Sequence, residues 1–152
     1  MEPKNRQNLE RVHALLPLTE EAVDDFLDLI EELVDTGDPS VIGPILLVLD
    51  DHSEIGGVEE TVVNLLEDFD SEVFIREFLR VLEGFYTKSP QWCESELKKI
   101  LWSKEGDLLV KAVSTLQVET RRRLVLMLRE IKAQTSNLEE ACDQVLTKLD
   151  DV

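Results

Sequence analysis

The chain has 152 residues, the size of one domain that buries about two thirds of its unfolded surface without disulfides or metals. With 43% hydrophobic and 32% charged residues it is too apolar for a disordered chain and too charged for a membrane protein. A net charge of −17 disfavours nucleic acid as a partner.

Helical periodicity runs through the whole chain and turn residues interrupt it at short intervals, so nine helices are expected. The first spans Asn5 to Leu15 and ends at Pro17. Met1-Glu2-Pro3-Lys4-Asn5-Arg6 leads into no apolar segment, so no secretory signal is expected and the protein is placed in the cytoplasm. Thr19 caps a long helix to Thr36, with Ala22, Val23, Phe26, Leu27, Ile30, Leu33 and Val34 as its apolar stripe. Asp38-Pro39 opens a helix through Leu49, which Gly43-Pro44 is expected to kink, and whose apolar run is too short to span a membrane. A loop from Asp50 to Gly57 precedes helices over Val58 to Glu67, Ser71 to Tyr86, and Ser89-Pro90 to Trp102. Helices near Lys104 to Thr115, Val118 to Ala133 and Leu138 to Leu149 complete the chain, the last capped by Ser136 or Asn137.

The caps keep a register. Thr19 and Asp38 are followed 52 and 51 residues later by Ser71 and Ser89, and Ser136 comes 47 after Ser89. This spacing predicts an all-α fold over residues 1–152, a single domain built as a short HEAT- or armadillo-like solenoid with degenerate units near 19–67, 71–115 and 118–149. An ordinary helical bundle is the alternative.

Charge is divided along the chain. Residues 1–75 hold 20 acids and 3 bases, whereas residues 76–152 hold 13 of each, and no Lys or Arg occurs from Val12 to Ile75. On the second helix, Glu20, Glu21, Asp24, Asp25, Asp28, Glu31, Glu32 and Asp35 fill the solvent side with no cation among them. Like charges at i and i+4 each cost roughly 0.2–0.5 kcal/mol, a cost that a cationic partner would relieve. The loop adds Asp50, Asp51 and Glu54, followed by Glu59 and Glu60. Asp24, Asp28, Glu31, Glu32, Asp35, Asp50, Asp51, Glu54, Glu59 and Glu60 are therefore the candidate contacts for a basic protein partner.

Other chemistry finds little support. The loop lacks the glycine and glutamate spacing of a calcium-binding loop, and a metal-dependent hydrolase built on Asp50, Asp51 and His52 is a minor alternative. No phosphate-binding, dinucleotide-binding or nucleophile motif is present, and the many carboxylates read as exposed, so no enzyme, cofactor or metal is expected. Cys93 and Cys142 lack framework spacing and read as free thiols. Arg121-Arg122-Arg123 fans around a helix beside Glu119 and Glu130. Phe85, Tyr86, Trp92 and Trp102 read as the packing that holds the units together.

The step Ser89-Pro90-Gln91-Trp92-Cys93, followed by Leu97, Lys98, Ile100, Leu101 and Trp102 and preceded by Leu82-Glu83, resembles the immunity protein 30 family of bacterial polymorphic toxin systems. The likeness covers roughly Asp24 to Ala133; after the Pro-x-Trp helix, where the family tends to have Asn, this chain has Trp102-Ser103. The resemblance implies an immunity protein of a contact-dependent growth inhibition pair, binding the C-terminal domain of its cognate toxin. It carries over no catalytic residue. Because many such toxins are basic nucleases, an acidic inhibitor, monomeric when free and binding neither nucleic acid nor membrane, agrees with the charge. A repeat scaffold or adaptor that binds a basic protein or peptide is the alternative.

Overall fold

The computed structural model describes residues 1–103 and 105–150, and every regular element among them is helical. Ten α-helices follow in order: α1 Pro3–Ala14, α2 Val23–Asp35, α3 Ile42–Leu46, α4 Val58–Leu66, α5 Ser71–Arg80, α6 Leu82–Lys88, α7 Pro90–Trp102, α8 Gly106–Ala112, α9 Val118–Gln134 and α10 Glu139–Asp150. Short 3-10 turns precede α2, α3 and α10 and follow α8. Lys104, the expected start of the seventh helix, lies outside the described residues.

Ten helices replace nine because the expected Ser71 to Tyr86 helix divides at Val81, whose φ of −104° and ψ of 7° leave the helical region. Nothing in the apolar pattern marks this break, since both pieces bury the same stripe. The divide seats Val81 over Gly43: a Cβ at position 43 would stand 2.8 Å from Val81 Cγ1, so glycine permits α3 to approach this closely. The third helix is shorter than expected, ending at Leu46 with Leu47 as its C-cap. Several caps also differ. Asp38 caps as expected, accepting from the Ser40 amide at 3.0 Å, but Asp70 rather than Ser71 caps α5, and Thr19 makes no side-chain capping bond.

Packing proceeds along the chain. α1 lies on α2 and α2 on α4; α3, α5, α8 and α10 form a row, each against the next; α6 packs on α7 and α9, and α9 on α10. Asn5 ties α1 down, its buried amide donating to Thr36 Oγ1 and Asp38 Oδ2, each at 3.3 Å. One hydrophobic cluster extends from Leu9 to Leu149. At its centre the fully buried rings of Phe78 and Phe85 meet edge to face, with centroids 6.1 Å apart.

Candidate functional site

The same rotation that buries Phe26, Leu29, Ile30, Leu33 and Val34 of α2 turns Asp24, Asp25, Asp28, Glu31, Glu32 and Asp35 to solvent. Among the described residues the one ion pair to this face is Lys4 of α1 with Glu32, at 3.3 Å. Asp24, Asp28, Glu31 and Asp35 have no ion pair among the described residues. α4 packs against α2, and Glu60 of α4 is exposed.

The loop acids divide into two kinds. Asp50 accepts from the His52 amide at 2.9 Å in a local turn and remains exposed, as do Glu54 and Glu60. Asp51 faces the other way: its carboxylate accepts from the amides of Gln91 at 2.8 Å and Trp92 at 3.0 Å, capping α7 across 40 residues of sequence. Ser89 makes no side-chain capping bond; its buried hydroxyl donates to the Leu49 carbonyl at 2.5 Å, and Lys88 donates to the Leu47 carbonyl. The Ser-Pro-x-Trp step is therefore the joint between the acidic loop and α7. Glu59 is buried, contrary to the expectation that every carboxylate is exposed, and burial pushes its carboxyl above the usual range.

Two clefts frame this loop. One, of about 760 Å³, is lined by Leu18, Glu20, Phe26, Asp50, Glu54 and Lys88 among others. The second, of about 340 Å³, lies between the starts of α4 and α7, against Asp50, Asp51, Glu60 and Trp92. The ends of the same two helices line a further cavity, where Lys99 and Glu67 stand 2.6 Å apart, so clefts lie between α4 and α7 at both their starts and their ends.

Two more carboxylates escape the expectation of exposure. Glu77 is buried beneath Arg80, 2.6 Å away. Glu96 is 4% exposed, and its burial raises its pKa against the opposing pull of Lys99. Its position was legible: Cys93, Glu96, Leu97 and Ile100 share one helical face, and the other three are buried apolar residues. Trp102 departs in the opposite sense, being 65% exposed rather than holding the units together, whereas Phe85 is fully buried.

In the C-terminal half several charges pair across and along helices. Arg123 binds Glu83 through two nitrogens, at 2.9 and 3.3 Å, and its guanidinium lies 4.1 Å from the centre of the Tyr86 ring, clamping α9 to α6. Hydrogen bonding to Arg123 holds the Glu83 carboxyl below its ordinary range. Both cysteines are free and buried, and burial pushes the Cys93 thiol up to about 12, far from a reactive thiolate at neutral pH. Among the described residues no group of three His, Cys, Asp or Glu side chains is placed to hold a metal, and no helix is long and apolar enough to cross a membrane.

The chain matches no curated protein and no solved structure. Residues 13–108, more than half of the chain and including the Leu82-Glu83 pair and the Ser-Pro-x-Trp joint, match the family model described as Immunity protein 30. The chain belongs to this family, whose members are immunity proteins that neutralise a toxin.

Proposed function

We propose that this chain neutralises its cognate toxin domain by direct, electrostatically complementary contact, and that the toxin domain is basic, as a nuclease must be to hold phosphate. The solvent face of α2 carries the reading, for Asp24, Asp28, Glu31 and Asp35 stand exposed with no facing cation. No cation among the described residues relieves their mutual repulsion, and a cationic partner does. Glu32, Asp50, Glu54 and Glu60 extend the contact, while Asp51 and Glu59 hold the loop that presents them. The inhibitor acts stoichiometrically, by binding and without a catalytic step.

The same proposal covers the wider setting. The protein acts in the cytoplasm as one half of a contact-dependent growth inhibition pair and is monomeric when free. Residues 1–152 form one domain, its units near 19–67, 71–115 and 118–149 stacked as a short solenoid, a reading supported by the row of α3, α5, α8 and α10.

The test is association kinetics against the purified toxin domain at low and high salt. Raising ionic strength from about 0.05 to about 0.5 M is expected to slow association at least tenfold, because screening shortens the reach of the acidic face. Association indifferent to salt, or a toxin domain that is itself acidic, overturns the reading.

A further inference from the structure

The cleft of about 760 Å³ is lined by the turn that follows α1, the start of α2 and the loop that precedes α4. Its volume lies within the roughly 300–1,000 Å³ of concave binding sites. Phe26 and Val58 are buried in its wall, while Leu16, Leu18 and Ile55 are only half-buried, packed on the edge of the core from loops rather than from helices. This is apolar surface that the fold covers on one side and leaves open on the other. Exposed Glu20, Asp50 and Glu54 line the same cleft, and none of them has an ion pair among the described residues. A fourth carboxylate, Glu59, is buried in the wall. The basic groups there are the exposed His52 and Lys88, whose ammonium already donates to the Leu47 carbonyl. Apolar surface inside and charge around it is the anatomy of the central part of a protein contact. The solvent face of α2 differs, since that helix turns its carboxylates outward and its apolar stripe inward.

We propose that this cleft receives a short segment of the toxin domain in which one large apolar side chain is flanked by Lys or Arg. The apolar group lies against Leu16, Leu18, Phe26 and Ile55, and the flanking cations meet Glu20, Asp50 and Glu54. This rests on the toxin-binding reading and names the element of the toxin that is recognised. Both parts of the segment are required. A purely polar basic segment answers the carboxylates and leaves the apolar wall in water, whereas an uncharged apolar segment desolvates the carboxylates without pairing them. The α2 face then speeds the encounter with a basic surface, and the cleft sets how long the complex lasts.

The experiment titrates the full chain with the blocked tripeptide acetyl-Arg-Trp-Arg-amide, following backbone amide resonances. Acetyl-Arg-Ser-Arg-amide, which lacks the apolar group, and acetyl-Glu-Trp-Glu-amide, which reverses the charge, are the comparison probes. The first is expected to shift the amides of Leu16, Leu18, His52 and Ile55 saturably, with a dissociation constant on the order of 1 mM for so small a probe. Each comparison probe is expected to bind at least tenfold more weakly. Ile55→Ala trims the apolar wall, and Glu54→Lys reverses a charge at an exposed position where folding is not at stake. Each is expected to weaken the first probe at least threefold, while Leu126→Ala, on the exposed side of α9, leaves it unchanged. Absence of saturable shifts, equal binding of either comparison probe, or undiminished binding by both cleft variants overturns the proposal. Saturating toxin domain is expected to abolish the probe's shifts. A toxin complex that leaves the cleft open to the probe overturns the proposal while the toxin reading stands. Failure of the toxin domain to bind the chain at all overturns the toxin reading itself, and the assignment of the occupant falls with it.

Discussion

The two halves of this chain use charge in opposite ways. In the first, carboxylates of α2 face solvent with one cation, Lys4, among them. In the second, Arg80 meets Glu77, Lys98 meets Glu94, Arg123 meets Glu83, and Lys132 meets Asp143, so charges answer one another across and along helices. Apart from the pair at the buried Glu77, ion pairs at such partly exposed positions contribute about 0–1 kcal/mol each, so most of this pairing adds little to the stability of the fold. Charge in the second half joins helices to one another. In the first it is left available to a partner.

The division of charge is not a division of the core, and the largest expected effect tests that. Phe85 is fully buried, packs against Phe78, and lies in the cluster that reaches Leu9 and Leu149. Phe85→Ala is expected to cost about 3–5 kcal/mol in denaturant unfolding and to shift one cooperative transition. Two transitions, with the N-terminal one unmoved, would mean that the halves fold separately.

Next in size is the contrast in binding. Asp24→Asn, Asp28→Asn and Glu31→Gln together are expected to weaken the toxin complex by about 2 kcal/mol or more while leaving the free protein as stable or more stable, since repulsion on α2 is removed. The matched set Glu119→Gln, Glu130→Gln and Glu139→Gln serves as the control. If surface plasmon resonance shows the control set weakening binding more, the working face is on the wrong half of the molecule.

Asp51 breaks the contrast from within. It sits among the acids of the first half but caps α7, so Asp51→Ala is expected to cost about 0.5–2 kcal/mol of stability, whereas Glu54→Gln, three residues on, is expected to be near neutral. Thermal melts that move equally for the two would place Asp51 with the free acids.

What the sequence could and could not reveal follows from the range of the forces. The acidic face of α2 was legible because the apolar stripe from Phe26 to Val34 fixes the rotation of every residue between. Helix starts set by local chemistry, such as Asp38-Pro39, were legible for the same reason. The capping of α7 by Asp51 was not, because donor and acceptor are 40 residues apart and Ser89 is an equally good local cap by type. Nor was the break at Val81, which answers the close approach of Gly43 from another helix. Trp102 reads as packing because it clusters in sequence with Phe85, Tyr86 and Trp92, yet Ile100 and Leu101 already fill the buried side of that turn. The cavity lined by Val63 and Leu66 of α4 and by Glu96 and Ile100 of α7 was not legible either, because it needs residues of both helices.

The smallest effect sets one carboxylate from each half against the other. Glu83 has its carboxyl lowered from 4.5 by the hydrogen bond from Arg123, so the folded state binds its proton less tightly than the unfolded chain does. Its contribution is present above pH 4.5 and is lost as pH falls through the lower folded value. Glu59 has its carboxyl raised from 4.5, chiefly by burial and further by Glu60 and Asp50, so the folded state binds its proton more tightly. Its contribution is present below pH 4.5 and is lost as pH rises through the higher folded value. The two substitutions must therefore bend the melting profile in opposite directions. Relative to the parent, Glu83→Gln is expected to be less stable at neutral pH, with the deficit closing below pH 4.5; Glu59→Gln is expected to match the parent below pH 4.5 and to gain on it as pH rises. Melting temperatures between about pH 3 and 7 resolve this, since the linkage acts where each proton is exchanged. Parallel profiles for the two variants would show that Glu59 and Glu83 experience the same electrostatic surroundings, and the contrast between an unanswered half and a paired half would fail at the level of single carboxylates.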